Sequence, residues 1–416
     1  MNDELRRDTA PSPSSDLTAA GRWLNRTVVG IGFASLCSDV GHEIATTAMP
    51  ALLAAVGANA AVLGVIEGVA DGVSSFAKLL SGLYSDRLRR RKPLAVVGYF
   101  MTASGMAGFA LATQWWHVLL GRVFGWLGRG ARTPVRNVLL AEATTPTTYG
   151  RAFGFERAMD SAGAVIGPAI AIAVTASLGL RWTFALTLIP GVVAALLIAL
   201  AVREKEHAPQ PHVRLWGGMR ALLRDFRLFL CGVGLAGLGD FSNTLLILWA
   251  TQAFTAEYGL ERAATFAMLF YLAYNVVYTV SCYVTGILAD RLPKKWVLAT
   301  GYALAVVPAL ALLWPGDSFW KFGVVFGFSG MYMGVWETTE SSTAASLLPP
   351  GLRGIGFGTL ATVNGIGDLV SSILVGLLWV IAPGWAMSYV ICTSLAGAAV
   401  IAWTHPPEFV KEAPNA

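Results

Sequence analysis

Stretches of about 20 apolar residues alternate along the chain with short polar gaps, the length a helix needs to cross the hydrocarbon core of a bilayer. In lipid, backbone N–H and C=O groups must be paired internally, so such stretches are helices or strands of a closed barrel. Runs such as Leu186–Ala201 lack the every-second-residue polarity of a barrel strand. The pattern therefore predicts about twelve helical spans. They cover residues 28–53, 60–83, 93–113, 117–140, 151–177 and 181–202, then 226–253, 263–288, 295–314, 318–346, 353–381 and 384–404.

Composition strengthens this reading. Of the 416 residues, 55% are hydrophobic and 13% charged, against about 25% charged in a soluble domain. The formal charge of +5 does not point to nucleic acid, because the basic residues gather in gaps between apolar runs. Arg87, Arg89, Arg90, Arg91 and Lys92 follow the second span. Arg203, Lys205, Arg214, Arg220, Arg224 and Arg227 follow the sixth, and Arg291, Lys294 and Lys295 the eighth, while gaps 54–59, 114–116 and 382–383 hold none. Basic loops stay in the cytoplasm, which predicts a multi-pass protein of the cytoplasmic (inner) membrane with both termini inside.

The expected organisation is a disordered cytoplasmic tail over 1–26, not a cleavable signal peptide, and a six-helix bundle over 27–202. A cytoplasmic connecting loop over 203–225, a second bundle over 226–404 and a tail over 405–416 follow. Cys37, Cys231, Cys282 and Cys392 lie in apolar runs without CxxC spacing and read as small buried hydrophobes.

The two halves repeat. Gly82-x-x-x-Asp86-Arg87-Leu88 recurs as Gly286-x-x-x-Asp290-Arg291-Leu292, and Gly98-Tyr99 as Gly301-Tyr302. Gly150-Arg151-Ala152-Phe153-Gly154-Phe155 is echoed by Leu352-Arg353-Gly354-Ile355-Gly356-Phe357. Extended by Arg89, Arg90 and Arg91, the first motif resembles the loop 2–3 signature of the major facilitator superfamily. Arg89 stands where that family usually has a second glycine. Gly163-x-x-x-Gly167-Pro168 is similar to the family's antiporter signature, although Ala169, Ile170 and Ala171 replace its further glycines. As a bare pattern it is also an ordinary close-packing contact between membrane helices.

The resemblance implies an all-α membrane protein of two six-helix repeats that alternates access around a central cavity. It also implies a cytoplasmic gate built from Gly82, Asp86, Arg87, Arg90, Gly286, Asp290 and Arg291. In that fold the first, fourth, seventh and tenth helices line the cavity, which would bring Asp39, Arg129, Arg132, Asp240, Glu337 and Glu340 to its wall.

Ionisable residues inside spans are costly, about 2.5–3.5 kcal/mol each at the bilayer centre on insertion scales, so each needs a partner or a wet cavity. Asp39, His42 and Glu43 share one face of the first span, and Glu67, Asp71 and Lys78 one stripe of the second. Lys78 reaches Asp71 only through extended side chains. The fourth span carries Arg122, Arg129, Arg132 and Arg136 on one face; Arg136 and Glu142 read as interfacial and snorkelling. The fifth begins with Glu156, Arg157 and Asp160, where Arg157 and Asp160 form a structural i,i+3 pair. The second half holds Asp240, Glu337, Glu340 and Asp368, with no matching arginine stripe.

A proton carrier needs a carboxylate poised between desolvation and a neighbouring arginine. Asp39, Glu43 and Asp240 are the leading candidates, Arg129 or Arg132 the competing counter-ion, and His42 an imidazole that titrates naturally near neutral pH. Asp39, His42, Glu43, Glu67 and Asp71 are also a conceivable cation-ligand set, which the neighbouring arginines oppose.

No Gly-x-Ser-x-Gly elbow, Walker loop or HExxH occurs, so no enzyme, resident metal or cofactor is expected. Gly125-Trp126-Leu127-Gly128-Arg129-Gly130 sits in a span without a preceding strand and reads as close packing, not a nucleotide loop. The expected function is proton-coupled efflux of a small polar or charged solute by a monomer in the bilayer, with no nucleic-acid partner. The alternatives are proton-coupled uptake of a nutrient, metal or metal chelate, and a non-transporting membrane sensor.

Overall fold

The computed structural model describes residues 23–58, 60–204, 224–241 and 243–404. The expected tails, apart from residues 23–26, and most of the central connection lie outside them. Among the described residues, twelve helical rods run in order. They are α1 (Arg26–Ala55), α2 (Ala60–Arg87), α3 (Lys92–Ala107, extended by a 3-10 turn), α4 (Trp115–Glu142) and α5 (Tyr149–Leu178). Then come α6a (Leu180–Leu186) with α6b (Leu188–Ala201), α7a (Arg224–Gly237) with α7b (Asn243–Tyr258), α8 (Leu260–Arg291), and α9a (Lys294–Leu304) with α9b (Val306–Leu313). The chain closes with α10 (Phe319–Leu347), α11 (Arg353–Ile381) and α12 (Pro383–Trp403). No strand occurs among the described residues.

Seven of the rods are long and apolar enough to cross a membrane by length and composition. Helices α1, α2, α4 and α10 carry most of the intramembrane charges. Gly179 (φ 86°) and Gly259 (φ 76°) occupy the left-handed region. There a residue without Cβ lets the chain reverse between α5 and α6a, and between α7b and α8, within a single residue.

Small residues set the spacing of the rods. A Cβ added at Gly105 would stand 2.5 Å from the Gly121 carbonyl oxygen, and one at Gly128 2.6 Å from that of Gly98. Helices α3 and α4 thus touch backbone to backbone, a contact only glycine permits. The two halves meet along α2 against α11 and α5 against α8.

The seventh span departs from expectation. The hydropathy pattern predicts one helix over 226–253, but α7a and α7b are separate, and residues 238–241 between them are not helical. The cause is legible locally. Gly232, Gly234, Gly237 and Gly239 crowd the segment, and each glycine costs a helix interior about 1 kcal/mol relative to alanine.

Candidate transport pathway and gate

At the end that carries the α2–α3 and α8–α9 loops, each half caps a helix of the other. The Asp86 carboxylate accepts the backbone N–H groups of Gly354 (2.9 Å) and Ile355 (2.8 Å), in the first turn of α11. The Asp290 carboxylate accepts those of Gly150 (2.7 Å) and Arg151 (3.0 Å), in the first turn of α5. The first turn of a helix presents unpaired N–H groups and the positive end of its dipole, so a carboxylate there is doubly favoured.

Neighbouring glycines allow the approach. A Cβ at Gly286 would meet the Gly150 carbonyl oxygen at 2.6 Å and Gly154 Cα at 3.1 Å, and one at Gly82 would collide with the Gly354 carbonyl and Gly358 Cα. The structural repeat therefore pairs Gly150 and Gly154 with Gly354 and Gly358. This corrects the sequence echo, which sets Gly154 against Gly356 and is displaced by two residues.

The basic partners also differ from expectation. The motif predicts Arg87 and Arg90 beside Asp86, but the guanidinium that pairs with it is Arg91, fully buried, with Nη2 3.3 Å from Asp86 Oδ1 and a further ion pair to Glu142. For Asp290 the partner is Arg151 of the opposite half, Nε to Oδ2 at 2.7 Å, rather than adjacent Arg291. Tyr149 accepts a hydrogen bond from Arg353 Nη2 at 2.6 Å, which adds another tie across the halves.

Inside the N-terminal half, most of the charges are paired in separate clusters. Arg122 grips both oxygens of Glu67 at 2.8 Å and lies over the Trp126 ring at 3.8 Å. The Trp126 indole N–H donates to Asp71 at 2.6 Å. Asp71 is thereby occupied from α4, and among the described residues Lys78 has no ion-pair partner. Arg136 Nη1 reaches Glu156 (2.7 Å), Ser35 (3.0 Å) and Asp160 (3.7 Å). It is 4% exposed, so the snorkelling expected for it is corrected: buried Ser35 and Glu156, with half-buried Asp160, hold it inward. The Arg157–Asp160 pair stands at 3.9 Å, and Arg157 also reaches Glu156 at 3.7 Å and Glu337 of α10 at 3.6 Å.

Asp39 is held more loosely. Its Oδ1 lies 3.8 Å from Arg129 Nη2, an ion pair without a hydrogen bond. Gly163 of α5 packs on Asp39, where an added Cβ would stand 2.7 Å from the Asp39 Cβ, and Gly167 packs against Glu43. Together with Pro168, this motif seats the acidic face of α1 against α5. His42 Nε2 is 3.8 Å from Glu43 Oε1, and its ring lies 4.8 Å from that of Trp126.

The C-terminal half is acidic and aromatic. Glu337 accepts a hydrogen bond from Tyr278. Glu340 accepts from Trp336, from Tyr302 (3.3 Å) and from Asn364 (2.5 Å), and is buried among them. Among the described residues, Asp240, Glu340 and Asp368 have no ion-pair partner. Two residues expected on the cavity wall are packed within their own halves instead: Glu340, and Arg132, which is 3% exposed over the Tyr99 ring at 4.0 Å.

The model of the Major Facilitator Superfamily matches residues 31–372. The chain belongs to the major facilitator superfamily. It is similar to an uncharacterised MFS-type transporter of Methanocaldococcus jannaschii, 28% identical over 88% of this chain and 92% of the relative. A multidrug resistance protein MdtH of Photorhabdus laumondii is 29% identical over 46% of this chain and 47% of its own length. Among solved structures, a bacterial homologue of the iron transporter ferroportin in an outward-facing state superposes with a TM-score of 0.73 at 16% identity, covering 90% of this chain and 98% of the other. An MFS transporter, FucP, in the outward conformation gives 0.72 at 15% identity, covering 90% and 96%. These two likenesses describe the fold.

As a superfamily member, the chain is a multi-pass membrane transporter for a small molecule, and family and fold are those of transporters, not enzymes. Among the described residues, no group of three or more His, Cys, Asp or Glu is arranged to hold a metal ion. Of the cation-ligand set weighed from sequence, Glu67 is spent on Arg122 and Asp71 on Trp126. Sequence reasoning missed Arg91, Glu142, Tyr149 and Arg151 as latch residues. Arg91 is the last base of an arginine run, and nothing in the run marks which member turns inward.

Proposed function

We propose that this superfamily transporter exports a small polar or charged solute in exchange for protons. With the basic loops in the cytoplasm, the end tied by Asp86 and Asp290 is the cytoplasmic one. The observation that carries the reading is the Asp39–Arg129 pair. Asp39 is 7% exposed and faces its counter-ion at 3.8 Å without a hydrogen bond. Such a carboxylate can exchange its ion pair for a proton at little geometric cost, the property a coupling site needs.

Glu43 and His42 on the same face, and Asp240, Glu337 and Asp368 of the other half, extend the acidic groups that a cationic or zwitterionic solute would meet. The cytoplasmic gate is worked by Gly82, Asp86 and Arg91 with Gly286, Asp290 and Arg151. The partial likeness to MdtH multidrug resistance proteins supports the outward direction.

Inside-out vesicles holding the full chain test this reading. Uptake of candidate solutes into them should require an inward-acid gradient and fall when nigericin collapses it. Uptake indifferent to the gradient for every transported solute would contradict exchange with protons, and uptake favoured by the opposite gradient would favour proton-coupled import.

A further inference from the structure

The break in α7 lies fourteen residues from the start of α7a and sixteen from the end of α7b, which is mid-membrane for a rod of this length. Non-helical backbone at that depth persists only where it is buried in protein or lines a wet or ion-holding space. Among the described residues, the carbonyls of Leu238, Gly239, Asp240 and Phe241 accept no backbone hydrogen bond. The other interrupted rods differ: α6 and α9 are divided at Thr187 and Ala305, single residues that keep helical φ and ψ.

The break opens on a cavity of about 40 Å³ between α7, α8, α9, α10 and α12. Gly239, Asp240, Asn243, Tyr274, Ser329 and Tyr332 supply its polar lining. Asp240 has no cationic partner among the described residues, and it shares the cavity wall with Tyr332. Asn243 commits its amide nitrogen to Tyr274 at 3.0 Å, which leaves its amide oxygen as a ligand. Ser329 is 9% exposed, and its hydroxyl bonds to no other described residue. A Cβ at Gly239 would stand 2.5 Å from Thr393 Oγ1, so packing against α12 holds the break in place.

We infer that the break in α7 is a binding site for a monovalent hard cation, Na+ by charge and size, held by the Asp240 carboxylate, unwound carbonyls and the oxygens of Asn243 and Ser329. One carboxylate balances one charge, and neutral oxygens complete a shell suited to a hard ion. Unwound carbonyls in a discontinuous membrane helix are a recurrent way to coordinate such ions. The cavity has room for an ion with a water or two and is far below the roughly 300 Å³ of an organic-solute pocket. The site stands apart from the Asp39–Arg129 pair and does not depend on proton exchange there.

Equilibrium binding of radiolabelled Na+ to the purified full-length chain in potassium-free buffer tests it directly, with no transport step. Saturable binding near one ion per chain is expected, displaced by unlabelled Na+ and not by choline. Asp240→Asn should weaken it by about tenfold or more, and Ser329→Ala should weaken it by a smaller factor, which keeps the test alive if the first variant does not fold. Asp317→Asn, at an exposed turn, should bind like wild type. Absence of saturable Na+ binding to the wild type, meaning that water alone fills the cavity, would overturn the inference. So would binding that Asp240→Asn and Ser329→Ala both leave intact. Proton exchange that survives these results would leave the Proposed function standing.

Discussion

Arg157 Nη1 lies 3.6 Å from Glu337 Oε2 and so ties α5 of one half to α10 of the other at the level of the intramembrane charges. The same guanidinium is shared with Glu156 and Asp160 of its own helix. Arg157 can therefore release Glu337 when the halves rock apart and still remain neutralised.

This sharing separates two variants. Removing one partner of a buried charge network leaves its other members uncompensated, at about 3–5 kcal/mol. Arg157→Ala strands Glu337 and leaves Arg136 alone to serve Glu156 and Asp160, so it should lower the melting temperature in detergent sharply. Glu337→Gln should leave it near wild type and instead shift the balance between the two gate states. Equal losses of stability in both variants would contradict the division of roles.

The paired latch predicts a symmetric phenotype. Asp86→Ala and Asp290→Ala each delete two charge-assisted bonds to helix N-termini, and bonds to charged groups are worth about 1.5–3 kcal/mol each. Each variant should raise the population open at the latch end by at least about tenfold. Distance distributions between spin labels on the α2–α3 loop and on the turn before α11 would register it. A distribution unchanged in both variants would count against the latch.

Some of this is legible in the sequence and some is not, for identifiable reasons. Hydropathy locates the rods because lipid demands long uninterrupted helices. The Gly82/Asp86 and Gly286/Asp290 motifs stand out because the chain contains them twice. The break in α7 is hidden, since a hydropathy window averages over four glycines and one aspartate. The register between α5 and α11 is displaced because the echo aligns Arg151 with Arg353. In the fold, it is the glycine facing the opposite helix that is equivalent. Long-range partners such as Arg91 with Glu142 and Glu204, or Arg136 with Ser35, have no sequence signal at all.

Glycine spacing gives a steric prediction. Gly286→Val places carbon atoms into the backbone of α5 and should abolish closure at the latch end, with loss of transport at normal expression. Gly376 is also helical, but a Cβ added there would meet nothing within 4 Å, so Gly376→Val should transport like wild type. Equal activity of the two variants would show that the α5–α8 contact need not close.

The Arg122–Glu67 pair offers a test of buried-charge energetics. Either single change, Arg122→Met or Glu67→Gln, should destabilise the chain, with the first the more severe because Arg122 is 2% exposed. The double variant should recover part of the loss, since two neutral side chains leave no stranded charge. A double variant no better than the sum of the singles would mean that the pair is not energetically coupled.

Coupled exchange at Asp39 is read out by proton movement in proteoliposomes. Purified chain is reconstituted around a pH-sensitive dye, and candidate solutes are added beside wild-type and Asp39→Asn protein. A solute-dependent proton flux is expected, opposite in direction to the solute, that Asp39→Asn abolishes while radiolabelled solute still exchanges. Solute crossing the membrane with no proton movement, or a proton flux that Asp39→Asn leaves intact, would contradict it.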